Sequence, residues 1–291
     1  MTEPEQLEFT GERFTPECVR EIAYEHWHRY AWVSRWLAGK SVLDAACGEG
    51  YGSALLAQSA AEVTGVDVSA ASVEHARRRY ETENLRFEQA DCLALPLRDD
   101  SVDVVVSFET LEHLADHDGL MQEFLRVLKP DGFVVLSSPD RKTYTDDTGY
   151  VNPFHVRELY RPEFEALLDR HFAAWRLFGQ KLAFQSLLWQ MSGDGPPECL
   201  TLDGDRLTRD RIPELAPLYF VAVAAVHQNA LPLELPGVSL YGDRQESVYA
   251  HYNDVVRKHI RAEQQLAACE QELAELKLRL AQPWWRRWRT R

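Results

Sequence analysis

Between about residues 41 and 138, short β-branched apolar runs alternate with amphipathic stretches, which predicts βαβ units on a parallel sheet. Strands are expected at Ser41–Ala45, Val63–Val68, Leu85–Gln89, Val102–Ser107 and Phe133–Ser138. Helices are expected at Gly52–Ala60, Ala70–Thr82 and Thr110–Leu128, the last stopping where Lys129-Pro130-Asp131-Gly132 forbids continuation. Further on the pattern is less regular. Pro162–Leu168 reads as a helix opened by proline, and Trp175–Phe178 and Leu218–Val226 as two more strands. The polar, Gly/Pro/Asp-rich segment 192–213 between those strands reads as a surface insertion or mobile loop.

From about Gln245 the period changes. Tyr252, Val255, His259, Ala262, Leu266, Cys269, Leu273, Leu276 and Leu280 alternate by three and four, with Glu, Gln, Lys and Arg at many other positions. A helix packed on its own domain would need a wider apolar stripe, so residues 245–282 are expected to self-associate as a coiled coil, dimer or trimer. Pro283 ends it. The tail that follows, residues 283–291, interleaves Trp284, Trp285 and Trp288 with four arginines and no acid. Such a tail suits the headgroup level of a membrane surface; the alternative is a basic tail that stays solvated or pairs with the acidic body.

Composition narrows the class. The chain has 291 residues, 45% hydrophobic and 27% charged, with a formal net charge of −14. That length suits one domain of roughly 200–250 residues plus an appendage, with a core large enough to need no staple. It excludes collagen-like and disordered classes. No apolar run approaches the roughly 20 residues that cross a bilayer. Met1–Glu8 is acidic without an apolar core, so no secretory signal is expected. The five cysteines, Cys18, Cys47, Cys92, Cys199 and Cys269, never fall in a C-x-x-C spacing. Neither a disulfide framework nor a zinc site is expected, and a cytoplasmic location, peripheral at the inner face of the membrane if the tail binds there, fits best. The acidic balance argues against a nucleic-acid partner.

The candidate chemistry starts at Val42-Leu43-Asp44-Ala45-Ala46-Cys47-Gly48-Glu49-Gly50-Tyr51-Gly52, which follows a strand and opens a helix. Glycines there let the backbone turn sharply and approach a ligand, and the helix N-terminus favours an anion. The dinucleotide spacing G-x-G-x-x-G is not met, because the third glycine comes one place early at Gly52 and Ser53 takes its position.

This stretch resembles motif I of the class I S-adenosylmethionine-dependent methyltransferases, with Ala46 where many members have glycine. Val66-Asp67-Val68, Asp91-Cys92 and Leu125-Arg126-Val127-Leu128-Lys129-Pro130-Asp131-Gly132 resemble the companion motifs in order. The resemblance covers residues 41–138. It implies an α/β, Rossmann-like sheet, mostly parallel with the last strand antiparallel, within a domain spanning 41–240. It also implies S-adenosylmethionine bound by Asp44, Ala46, Gly48 and Gly50, by Asp67 and Val68 at the ribose, by Asp91 and Cys92 at the adenine, and by Phe108. Asp44 would take the cofactor's amine, through water.

Upstream, Gly11-Glu12-Arg13-Phe14 and Tyr24-Glu25-His26-Trp27-His28-Arg29-Tyr30 resemble the N-terminal segment of methyltransferases encoded with bacterial surface-glycan pathways. This implies a helical lid over residues 1–40 and a sugar or glycan acceptor.

The acceptor side is read at Phe108-Glu109-Thr110-Leu111-Glu112-His113, after the fourth strand. Glu109, Glu112 and His113 would share one face of a helical turn, and two carboxylates with an imidazole suit Mg²⁺ or Mn²⁺. The E-x-x-E-H spacing resembles that of metal-dependent ubiquinone-pathway and small-RNA 2′-O-methyltransferases. By that resemblance His155, in Asn152-Pro153-Phe154-His155-Val156-Arg157-Glu158, is the second histidine. A metal held by Glu109, Glu112, His113 and His155 would grip two vicinal hydroxyls and lower the pKa of the one to be methylated. Without a metal, His155 or His113 would act as general base, or the histidine of L-E-H-L would only pack. His75, His117, His171 and His251 are expected at solvent-facing positions.

The reading that results is an S-adenosylmethionine-dependent O-methyltransferase of a sugar hydroxyl on a surface polysaccharide or lipid-linked glycan. The alternatives are a small phenol or quinone precursor as acceptor, or a non-catalytic coiled-coil scaffold with a vestigial methyltransferase fold.

Overall fold

The computed structural model describes residues 21–188, 190–192, 198–210 and 215–281. Gly11–Phe14, Cys18, parts of the 192–213 segment and the 283–291 tail therefore lie outside the described residues. The chain divides into two compact units, Met1–Tyr241 and Gly242–Arg291.

The strands of the first unit are β1 Ser41–Ala45, β2 Glu62–Asp67, β3 Leu85–Gln89, β4 Val102–Ser107, β5 Leu128–Pro139, β6 Ala174–Gln180, β7 Cys199–Asp203, β8 Arg206–Asp210 and β9 Tyr219–Ala225. Seven of them form one sheet in the order β3-β2-β1-β4-β5-β9-β6. β1 to β5 pair in parallel with their neighbours, and β9 lies antiparallel between β5 and β6. The near-continuous apolar runs follow from this topology, since central strands are covered on both faces. β9, Tyr-Phe-Val-Ala-Val-Ala-Ala, is buried at every position.

The helices are α1 Glu21–Ser34, α2 Tyr51–Ala57, α3 Ala70–Arg79, α4 His117–Val127 and α5 Arg161–His171. Strand periodicity sends alternate residues to opposite faces. Leu43, Val105 and Leu136 join Leu120, Phe124, Phe164 and Leu167 of α4 and α5 in one apolar layer. Val42, Val104, Val106 and Val135 join Val33, Leu37 and Leu56 around α1 and α2 in the other.

Two sequence expectations are corrected. The single helix expected over Thr110–Leu128 is a 3-10 turn at Leu111–His113 followed, after a break, by α4. Leu114 is extended, and Asp116 starts α4 afresh by accepting from the Gly119 N–H at 2.8 Å. The 192–213 segment is not all loop, because its described part holds the β7–β8 hairpin. Gly204, at φ +56°, makes the tight reversal possible.

At the end of β1, Ala46 occupies the left-handed region at φ +60°. This is the position where the resembling family often has glycine, and a Cβ there costs about 1–2 kcal/mol. Glycine in turn loses more backbone entropy on folding. Ala46→Gly should therefore raise stability by a net of about 0.5–1 kcal/mol, read by chemical denaturation.

The described part of the second unit contains α6, Ser247–Ala281, a helix of 35 residues. Among the described residues no helix is long and apolar enough to cross a membrane.

Candidate active site

The loop from β1 to α2 is a run of left-handed residues, Ala46, Gly48 at φ +57° and Gly50 at φ +89°. It is fastened to the end of β2. The Cys47 N–H donates to the Val66 carbonyl at 2.8 Å, and the Asp67 carboxylate accepts from the N–H groups of Gly48 (2.9 Å) and Ser69 (2.8 Å). A carboxylate offers more lone-pair sites than these two backbone donors use, the acceptor type that suits a diol. Val68, beside it, is exposed. After β3, Asp91 is exposed and accepts from the Leu93 N–H, whereas Cys92 is buried and its thiol is pushed up to about 12, mainly by burial. The Cys92 side chain is therefore inert, and only its backbone is suited to an adenine contact. These groups, with Phe108 after β4, line up at the carboxyl ends of four adjacent parallel strands, where open α/β sheets bind ligands.

The early glycine has a packing reason. A Cβ on Gly52 would lie 2.1 Å from the Tyr30 ring of α1. Tyr30 reaches over α2 to Asp44, which accepts from the Tyr30 hydroxyl at 3.2 Å and from the Ser53 hydroxyl at 2.6 Å. Sequence reasoning missed Tyr30 and Ser53 as partners of Asp44. The G-x-G-x-G-S spacing was their only local signal.

Asp44 is fully buried, and burial pushes its carboxyl up to about 7 against the lowering effect of those two hydroxyls. In an unfolded chain it titrates near about 3.9, so between those values the folded protein keeps a proton that the unfolded chain releases. Stability should fall as pH rises through that window, and Asp44→Asn should flatten that part of a denaturation-versus-pH curve.

On the acceptor side the expected set divides. Glu109 sits in a left-handed conformation, φ +51°, not on a helical turn. Its Oε1 accepts from Arg29 Nη1 of α1 at 3.0 Å and from the Ser137 hydroxyl at 2.6 Å. Arg29 is buried beneath the rings of Phe108 and Tyr219, 5.7 and 5.0 Å from their centroids. Glu109 is thus committed to a buried ion pair and stands apart from the metal candidates, a correction to the four-ligand expectation. Arg29 entered the sequence reading only inside the N-terminal resemblance.

The other three do come together. One ligand atom from each of Glu112, His113 and His155 lies within 4.8 Å of the others. The Glu112 carbonyl ties the later loop to the 3-10 turn by accepting from the N–H groups of Val156 (2.8 Å) and Arg157 (3.0 Å). Glu112 is buried; its Oε2 accepts from the Ser138 hydroxyl at 3.4 Å, and its Oε1 has no hydrogen-bond partner among the described residues. Burial, then the Glu109 charge, raises its pKa well above the carboxylate range.

Both histidines have Nδ1 against a pure acceptor, the Phe154 carbonyl at 3.1 Å for His113 and the Glu158 carboxylate at 2.6 Å for His155. This fixes the Nδ1–H tautomer and puts the lone pair on Nε2, the arrangement that outer partners impose on metal-binding histidines. The His155 Nε2 accepts from Asn152 Nδ2 at 2.9 Å, and Tyr144 stacks on its ring. Glu158, which entered the sequence reading only inside the motif around His155, accepts from the Thr145 hydroxyl at 2.6 Å.

The remaining histidines depart from the solvent-facing expectation. His75 and His117 are buried, the former 3.3 Å from Glu49, and His171 and His251 are half-buried.

Strand order, the antiparallel β9 and the glycine turn after β1 define a class I S-adenosylmethionine-dependent methyltransferase fold. Residues 43–136 match the model of a family described as a methyltransferase domain. A Mycolicibacterium smegmatis protein named a probable S-adenosylmethionine-dependent methyltransferase is 42% identical over 170 residues, 57% of this chain and 65% of its own length. The match thus spans just under two thirds of that relative. The ubiquinone biosynthesis O-methyltransferase of Idiomarina loihiensis is 36% identical over 124 residues, 41% of this chain and 51% of that protein. Among solved structures, an S-adenosylmethionine-dependent methyltransferase of Thermotoga maritima superposes with a TM-score of 0.51 at 16% identity, covering 70% of this chain and 90% of the other, a likeness of fold.

Proposed function

We propose that the first unit transfers a methyl group from S-adenosylmethionine to one hydroxyl of a vicinal diol, with a sugar or glycan as acceptor. The observation that carries the reading is the Glu112–His113–His155 cluster at the carboxyl edge of the sheet. The partnerless buried Oε1 of Glu112 and the tautomer-fixed histidines fit a divalent cation, for which His155 Nε2 would give up its bond from Asn152. With Glu109 withdrawn, two imidazoles and one carboxylate suit Mn²⁺ or a later transition ion better than Mg²⁺, which prefers oxygen ligands.

A bound cation supplies Lewis acidity that lowers the pKa of a ligated hydroxyl. The chain's own groups do the rest. Asp67 offers a bidentate acceptor to the ribose diol. Ionised Asp44 favours the cofactor's ammonium, so cofactor affinity should increase as pH passes the carboxyl's value of about 7. Transfer to the acceptor is then an in-line displacement governed by position.

Polar groups beside the cluster, Asn152, Glu158 and Thr145, support a sugar. A phenolic or quinone-precursor diol is the second reading, favoured by the similarity to the ubiquinone biosynthesis O-methyltransferase and by the exposed rings of Tyr150 and Phe154. The test is methyl transfer from labelled S-adenosylmethionine to sugar and catechol acceptors, with metal content measured before and after chelation. Loss on chelation and recovery with Mn²⁺ supports the metal reading. Full activity in the metal-free protein leaves His155 as general base.

A further inference from the structure

We propose that α6 binds the α6 of a second copy of this chain as a parallel, in-register, two-stranded coiled coil. The inference is independent of the reaction proposed above. The three–four alternation from Tyr252 to Leu280 runs without interruption, which places Tyr252, His259, Leu266, Leu273 and Leu280 at heptad position a and Val255, Ala262, Cys269 and Leu276 at d. Leu266, Leu273 and Leu276 are 61, 51 and 53% exposed, so the seam remains open to a partner.

Charge selects what covers it. In a parallel pair, each g residue faces the e residue five places on in the partner. The pairs within α6 are His251 with Val256, Lys258 with Glu263, Gln265 with Glu270, and Glu272 with Lys277. Two of the four are opposite in charge and none is alike, on each side of the symmetric pair. A second copy in register therefore meets no like-charge pair and is complementary at Lys258–Glu263 and Glu272–Lys277.

Side-chain size selects two strands. Ala262 and Cys269 are small neighbours in the d row, which lets two helices approach closely but would leave a void on the axis of three. His259, a polar a residue, meets its own copy only in register, and such residues specify alignment at a cost in stability.

Register brings the two Cys269 side chains into the same layer. In an antiparallel pair centred on the helix midpoint, Gln264, the two cysteines would sit ten residues apart, about 15 Å along the axis. Cys269 is a free, exposed thiol, so it reports the alignment.

The experiment uses the full chain. Sedimentation equilibrium across the micromolar range should give the mass of two chains. Mild diamide oxidation should yield a disulfide-linked dimer on a non-reducing gel in the wild type and none in Cys269→Ser. Leu266→Lys should weaken association by about tenfold or more. Glu272→Lys and Lys277→Glu should each weaken it by about threefold, and the double variant should restore it. A monomer throughout, a three-chain mass, a dimer whose Cys269 residues do not link, or a double variant no better than the singles would overturn the proposal.

Discussion

Replacing His155 with alanine should lower methyl transfer by about a hundredfold or more while leaving S-adenosylmethionine affinity near wild type. Both candidate roles lead there. As a ligand, His155 is one of three groups that would hold the cation, and as a base it would contribute about 10²–10⁴. Glu158→Gln should cost less, about 10–100-fold, because it removes the acceptor that orients the ring and leaves the ring itself. Cofactor affinity should not change, since Asp44, Asp67 and the glycine turn belong to other elements. His155 is partly buried against Tyr144 and Glu158, so the thermal midpoint has to be measured alongside. Wild-type turnover in a folded His155→Ala protein would remove this cluster from the reaction.

The second large effect is on stability. Arg29→Met should destabilise the fold by about 3 kcal/mol, the lower part of the range for breaking a buried pair. The Arg29 and Glu109 side chains are 2 and 19% exposed, so Glu109 loses its cation in a site where it can recover only part of its hydration. The stacking of the guanidinium on Phe108 and Tyr219 is lost as well. Opposing this, Arg29 Nε and Nη2 have no hydrogen-bond partner among the described residues, and removing them recovers a desolvation cost. The loss of a counter-charge is the larger effect because a carboxylate left unpaired in low dielectric is penalised more than an incompletely bonded guanidinium. Arg29→Met with Glu109→Gln should therefore recover most of the loss. A double-mutant cycle by urea denaturation should give a coupling of about 1–3 kcal/mol. Additive single effects would mean that the pair contributes nothing to holding α1 on the sheet.

Much of the fold is legible in the sequence because its signals are local. Two-residue and 3.6-residue periodicities, the proline opening α5 and the glycines after β1 act within one turn or one strand. The first four parallel strands stand within one residue of their expected bounds, whereas β5 begins at Leu128 and takes in the Lys129–Gly132 segment expected as a turn. The heptad from Tyr252 to Leu280 is equally local. The Thr110–Leu128 region shows the limit of that logic. Its apolar spacing is helical throughout, but the Asp116 cap and the extended Leu114 interrupt it, and capping competes with propagation over only a few residues.

From its sequence alone the protein is determined as a Rossmann-like α/β sheet followed by a helix of heptad period, since turn chemistry and hydrophobic period need no distant partner. Which acid stands beside the two histidines is decided only in three dimensions. Arg29, 80 residues upstream in the chain, takes Glu109 into an ion pair, and backbone bonds from Val156 and Arg157 to Glu112 bring His155 beside His113. Burial reverses the expected setting of His75 and His117 in the same way. Spacing states which side chains share a face of one helix, whereas charge pairing and solvent exclusion act through space between elements that spacing cannot relate.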